Sequence, residues 1–107
     1  MNIEIIPCLN DNYSYLIHDE LSKTTAIVDP SEFSPCDKAI SKNYKKLDFI
    51  LNTHHHYDHV GGNEDLKKKY NAKIFGFEND KNRIPGIDKF LKDNQEFKIG
   101  TLNFTTI

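Results

Sequence analysis

Residues 53–63 read Thr-His-His-His-Tyr-Asp-His-Val-Gly-Gly-Asn and hold four of the chain's five histidines. Within them His54, His56, Asp58 and His59 form the pattern His-x-His-x-Asp-His. Imidazole nitrogens bind zinc at ~2.0–2.1 Å, and a carboxylate suits zinc or iron. In an extended stretch alternate side chains share a side, so His54 and His56 converge while His55 points away. Asp58 and His59 follow, and can face a neighbouring position. The cluster therefore supplies two half-sites, one of two imidazoles and one of a carboxylate plus an imidazole. A water bound to zinc falls from pKa ~15.7 toward ~7, which gives a nucleophile at neutral pH. The chemistry expected of these residues is hydrolysis by a metal-activated water. After His59 the chain has no further histidine or cysteine. Catalytic zinc normally keeps three protein ligands, so two per metal predicts a weak, water-rich site of poor occupancy.

The elements that position this cluster are readable from pattern. Residues 3–6 are a short apolar run closed by Pro7, and predict a first strand. Asn10, Asp11 and Asn12 form a turn cluster. Residues 13–17 and the β-branched residues 24–28 predict two more strands, antiparallel neighbours joined by short connections. Asp29 and Pro30 end the third. Ser34 as cap, Pro35 at the first helical position and Asp37 three residues after the cap predict a helix start. Cys36, Ala39, Ile40 and Tyr44 then share its inward face. Residues 47–51 form a fourth strand that delivers the chain into the histidine cluster. Gly61 and Gly62 allow a sharp turn, and Asn63 is the expected cap of a helix running to Tyr70. Glu64 and Asp65 in its first turn and Lys67, Lys68 and Lys69 in its last complement the helix dipole. Leu66 and Tyr70 face inward. Residues 73–77, 97–99 and 102–107 predict further strands, the last two around a turn at Gly100 and Thr101. Residues 79–86 are polar and loop-like, and the region 80–93 reads as solvated loop and helix surface. The last strand pattern stops inside an apolar, β-branched run, which predicts that residues 1–107 are a truncated domain.

Bulk properties narrow the function. A chain of 107 residues is one domain or part of one. A net charge of −2 gives no footprint for nucleic acid, and the lysine run beside Glu64 and Asp65 belongs to a helix end. No stretch approaches the ~18 apolar residues of a membrane helix, and the N-terminus lacks a signal-peptide pattern. Cys8 and Cys36 give no disulfide framework and are expected as buried small apolar residues in a cytoplasmic, reducing setting. His18, beside Asp19 and Glu20, is expected at the surface.

The motif at residues 53–63 resembles the metallo-β-lactamase superfamily, and in its third histidine and Gly-Gly-Asn ending it resembles glyoxalase II, the hydroxyacylglutathione hydrolases. Asn10, Asp11, Asn12 and Tyr13 leading into a strand, residues 26–30 (Ala-Ile-Val-Asp-Pro) and residues 97–107 fit the same family. The resemblance implies an α/β (α+β) fold: the N-terminal half of an αββα sandwich, with a mixed, mostly antiparallel sheet and two or three helices. It implies hydrolysis of S-D-lactoylglutathione to D-lactate and glutathione. It gives His54 and His56 to one zinc and Asp58 and His59 to a second, with iron or manganese as alternative metals. It makes Asp58 also the catalytic residue that orients the attacking hydroxide, and leaves Tyr57 as packing. The family's third histidine, bridging aspartate, further histidine and C-terminal glutathione-binding helical region have no counterpart here; Asp65, Asp80, Asp88 and Asp93 do not occupy the family's ligand contexts. The expectation is therefore a chain weakly active or inactive alone. Its expected partners are a glutathione thioester and a second chain, or another copy, that completes the fold. The alternatives are a non-catalytic gene remnant with weak metal binding, or a hydrolase of the same fold with another substrate.

Overall fold

The computed structural model describes residues 2–8, 12–53, 62–77, 87–92 and 94–105. Strands β1 (Asn2–Cys8), β2 (Asn12–Asp19) and β3 (Thr24–Val28) lead to helix α1 (Phe33–Asn43) and strand β4 (Phe49–Leu51). Helix α2 (Asn63–Tyr70), β5 (Lys73–Phe77), β6 (Ile87–Leu91), β7 (Glu96–Ile99) and β8 (Leu102–Thr105) complete the order. Strands β1 to β6 form one sheet in sequence order, and β7 and β8 form a separate hairpin.

The large sheet is mixed. β1, β2 and β3 pair antiparallel, whereas β3, β4, β5 and β6 run parallel to one another. Parallel strands are buried on both faces and read as near-continuous apolar runs, which accounts for the Phe-Ile-Leu of β4 and the Lys-Ile-Phe-Gly-Phe of β5. The helices α1 and α2 provide the crossovers that parallel pairing requires.

Two apolar layers follow from the alternation of side chains along each strand. On one face Ile6, Leu16, Ile27, Ile50 and Ile74 pack with Cys36, Ala39 and Ile40 of α1 and Leu66 of α2. On the other face Ala26, Leu51, Phe75 and Leu91 pack with Ile99, and Phe97 and Phe104 of the hairpin stack at 5.6 Å. The order is helices, six-stranded sheet, hairpin. This is a mixed sheet with two helices among the described residues, an N-terminal portion of the αββα sandwich. The hairpin covers the β3 to β6 side of its face. On the β1 and β2 side Ile3 (55% exposed), Ile5 (59%), Tyr13 and Tyr15 face solvent, aligned through Tyr15 with Val28.

The hairpin is fastened by Asp19 at the end of β2. Its Oδ2 accepts the Thr101 N–H at 2.8 Å and the hydroxyls of Thr101 and Ser22 at 2.6 Å. Gly100 has φ +60°, and a Cβ there would stand 2.0 Å from Ser22 Oγ and 2.7 Å from Asp19 Oδ2. The turn therefore requires glycine on both counts.

Several expectations are corrected. His18 is buried (5% exposed): its Nδ1 lies 2.9 Å from Thr25 Oγ1 and its ring stacks on Tyr44 at 4.0 Å. An aromatic from the end of α1 covers it, which its polar sequence neighbours conceal. Helix α1 starts at Phe33 with Glu32 as its cap residue, and Ser34 lies inside it. Pro35 is tolerated because first-turn N–H groups lack intrahelical partners. Asp37 bonds Lys69 and Tyr70 of α2 instead of closing a capping box. Gly62, not Asn63, is the cap residue of α2, and that helix ends at Asn71 in the left-handed region (φ 57°). Ile87–Leu91, expected as loop and helix surface, is strand β6; Asp88 accepts the Ile74 N–H at 2.8 Å and pairs with Lys67. The expected loop at 79–86 lies outside the described residues. Cys8 and Cys36 are buried and free, as expected. Among the described residues no helix is long and apolar enough to cross a membrane.

Candidate metal centre

The chain leaves β4 at Leu51 and re-enters the described structure at Gly62, and both ends meet the carboxyl end of β3. In sheets with parallel strands, sites form beyond the carboxyl ends of those strands. Asp29 follows β3 with φ +50°, a left-handed conformation that a non-glycine residue keeps only when its surroundings hold it. Its N–H, its carbonyl and its carboxylate are all held. Its N–H donates to the Leu51 carbonyl at 2.8 Å. Its carbonyl accepts the Ser14 hydroxyl at 2.7 Å. Its carboxylate accepts the Thr53 N–H at 2.7 Å and the Thr53 hydroxyl at 2.5 Å. Thr53 is the residue immediately before His54.

The other end of the segment is tied one residue later. The Gly62 N–H donates to the Pro30 carbonyl at 2.7 Å. A Cβ on Gly62 would lie 2.9 Å from that oxygen and 3.1 Å from the backbone of Glu32 and Phe33, so this approach admits only glycine without movement. Next to it, Asn63 and Asn52 form a reciprocal buried amide pair. Asn52 Nδ2 donates to Asn63 Oδ1 at 3.2 Å, and Asn63 Nδ2 donates to Asn52 Oδ1 at 2.5 Å. Asn52 also donates its N–H to the Phe75 carbonyl at 2.9 Å, which joins the pair to β5.

Beneath the kink lies a small polar cluster. Ser14 Oγ gives its hydrogen to Asp29 and stands 3.3 Å from Cys8 Sγ, which is 3.8 Å from Cys36 Sγ. Burial pushes the Cys36 thiol up to about 12. The Cys36 thiol is therefore neutral at physiological pH and is no ready metal ligand.

The predicted ligands His54, His56, Asp58 and His59 lie outside the described residues, as do Tyr57 and the turn residues Asn10 and Asp11. Among the described residues no three histidine, cysteine, aspartate or glutamate side chains gather to hold a metal ion. Sequence pattern alone missed the partners of the segment's ends. By pattern Asp29 and Pro30 read only as a strand terminator and Ser14 only as a strand residue, because pairing 24 residues apart leaves no local signal.

Comparison with known proteins agrees with this layout. The sequence profile of the Metallo-beta-lactamase superfamily matches residues 9–99. The hydroxyacylglutathione hydrolase of Pelagibacter ubique (strain HTCC1062) is 53% identical over 93 residues, 87% of this chain and 39% of that protein. That of Brucella anthropi is 43% identical over 107 residues, 100% of this chain and 41% of that protein. The chain thus spans about two fifths of the length of these relatives. Among solved structures, the B3 metallo-beta-lactamase BLEG-1 superposes with a TM-score of 0.83 at 18% identity, over 97% of this chain and 59% of that one. BJP-1 of Bradyrhizobium japonicum, a subclass B3 metallo-beta-lactamase, gives 0.80 at 23% identity, over 97% and 47%. These two share the fold. The chain belongs to the metallo-beta-lactamase superfamily, and it is homologous to the N-terminal part of the hydroxyacylglutathione hydrolases.

Proposed function

We propose that residues 1–107 are the metal-binding, N-terminal portion of a thioester hydrolase of the glyoxalase II type. Its substrate is S-D-lactoylglutathione and its products are D-lactate and glutathione. The observation that carries this reading is the His-x-His-x-Asp-His cluster between Thr53 and Gly62, two residues bonded to adjacent positions of one kink. Identity of 43–53% to proteins named hydroxyacylglutathione hydrolase supports the substrate class.

The donor set fits zinc: three imidazoles and a carboxylate within six residues, with both thiols kept in the core. His54 and His56 would hold one ion, and Asp58 and His59 a second, with iron or manganese as alternatives. When bound, such ions supply Lewis-acid polarisation of the thioester carbonyl and a water acidic enough to ionise near neutral pH. Asp58, as catalytic residue, would accept a hydrogen bond from the attacking water and so orient it. The remaining ligands and the glutathione contacts would come from a second chain or a further segment seated on the open side of the sheet. The exposed row of Ile3, Ile5, Tyr13 and Tyr15 supports such a covering. Free, adjacent Cys8 and Cys36 support a reducing, cytoplasmic setting.

A second reading is a metal-binding fragment without turnover. It is favoured by the absence of histidine and cysteine after His59. The two readings part on thioester hydrolysis with added zinc. The chain is assayed alone and mixed with the separately produced C-terminal part of a hydroxyacylglutathione hydrolase. Turnover in the mixture, abolished by His56→Ala and by chelator, is expected. Absence of turnover in every mixture would leave the fragment reading standing.

A further inference from the structure

We propose that Cys8 and Cys36 form a redox-closable cross-link, which a hydroperoxide oxidises to a disulfide between β1 and α1 inside the folded chain. The two thiols come from different elements, 28 residues apart in sequence, and meet with their sulfurs 3.8 Å apart. Bonded sulfurs stand ~2.05 Å apart, so closure asks for an approach of about 1.8 Å. Cys8 ends β1, the edge strand of the sheet, and Cys36 lies near the start of α1. Edges and element ends yield more readily than the middle of a core, so the approach falls where the fold gives. Ser14 orients the pair. Its hydroxyl hydrogen goes to the Asp29 carbonyl, so at 3.3 Å from Cys8 it accepts the Cys8 S–H. That draws the Cys8 proton toward Ser14 and leaves sulfur lone pairs for Cys36. The metal-site reading uses neither thiol, and the cross-link stands independently of it.

Both thiols are buried, Cys8 at 1% and Cys36 at 0% exposed, so the oxidant must be small. Hydrogen peroxide is hardly larger than water, and its reaction with the pair balances in two steps. The Cys8 sulfur attacks one peroxide oxygen, the O–O bond breaks, and the thiol proton leaves with the other oxygen as water. Cys8 is then a sulfenic acid. The Cys36 sulfur attacks the Cys8 sulfur, the S–O bond breaks, and the hydroxyl leaves with the Cys36 proton as a second water. The two thiols lose two electrons and the peroxide gains them. The bond would fasten the exposed edge strand to the helix layer and close a loop that contains β2 and β3. Thiols reverse it by exchange. The fold would thus carry a staple that tightens under oxidation and relaxes when reductant returns.

The test treats the purified, reduced 107-residue chain with hydrogen peroxide, without urea and in urea, and reads the products by mass spectrometry and peptide mapping. In the folded chain the expected product is a monomer lighter by two hydrogen atoms. Its Cys8 and Cys36 peptides are joined, and dithiothreitol restores the original mass. Cys8→Ser and Cys36→Ser should each abolish that product. The urea midpoint of the oxidised chain should rise by roughly 1–3 M, because the bond closes a loop of 28 residues. Several results would overturn the proposal: a cross-link that forms only in urea, oxygen added to either sulfur without a joined peptide, or a disulfide between two chains. A midpoint that falls on oxidation would overturn it as well, since the bond would then distort the fold it is proposed to staple. The mass and midpoint of the native chain decide the matter even where a serine variant fails to fold.

Discussion

Replacing Asn63 with alanine removes one half of the buried amide pair at the exit of the ligand segment. Asn63 is 1% exposed and Asn52 is 6% exposed, so the surviving Asn52 amide loses its two bonds to Asn63 in a place that admits little water. An unsatisfied buried polar group costs about 1–3 kcal/mol, and here a donor and an acceptor are uncovered together. Alanine recovers about 0.5 kcal/mol of helix propensity at the start of α2. The net expectation is a loss of about 2–3 kcal/mol, a large share of the ~5–15 kcal/mol available to a small domain. The chain has no tryptophan, so urea unfolding is followed by far-UV circular dichroism. With a slope of about 1–2 kcal/mol/M the midpoint should fall by roughly 1–3 M. The cycle with Asn52→Ala then isolates the pair. The double variant should be less destabilised than the sum of the singles by about 1–2 kcal/mol, because each single change takes two bonds from the other member and the double variant removes both amides. A loss below about 0.5 kcal/mol for Asn63→Ala, or strict additivity, would refute the reasoning that the two amides are coupled.

Three other outcomes follow from the same geometry. Gly62→Ala should destabilise by about 1–3 kcal/mol, since its Cβ meets backbone on every near side and that backbone belongs to the kink and the start of α1; urea unfolding checks it. The hydroxyls of Ser22 and Thr101 and the Thr101 N–H hold the Asp19 carboxyl below the usual carboxylate range. A depressed folded pKa stabilises above the unfolded value of ~3.9 and is lost as pH falls through the folded value. Hairpin docking should therefore hold through the ordinary carboxylate range and weaken only in stronger acid, and Asp19→Asn should remove that acid dependence, read from Phe97 and Phe104 side-chain NMR signals. Cys8 and Cys36 should fail to react with an aromatic disulfide reagent at pH 8 until the chain is unfolded, because both are buried and the Cys36 thiol stays protonated.

The fold was legible where burial has a period. Strands β1 to β5 and both helices follow apolar alternation or helical spacing that local sequence carries. What escaped depends on distant partners. Ile87–Leu91 interleaves Asp88 and Lys89 with apolar residues and was read as solvated surface; parallel pairing with β5 and the Lys67 contact make it a strand. His18 reads as a surface residue because its sequence neighbours are acidic, but Tyr44, supplied by the end of α1, buries it. The proposed ligand cluster is the opposite case: its four donor side chains within six residues stand out as a pattern without any fold. The residues that hold the ends of that segment do not, because Ser14, Asp29 and Asn52 become neighbours only once β2, β3 and β4 lie side by side.

The most direct test of the account is zinc binding by the stripped 107-residue chain in competition with a chromophoric chelator. The native chain is compared with a variant carrying alanine at His54, His56, Asp58 and His59. The account predicts zinc held by the native chain and an affinity at least tenfold weaker in the variant. Equal zinc binding by the two would contradict it, because the residues that name the chemistry would then not perform it.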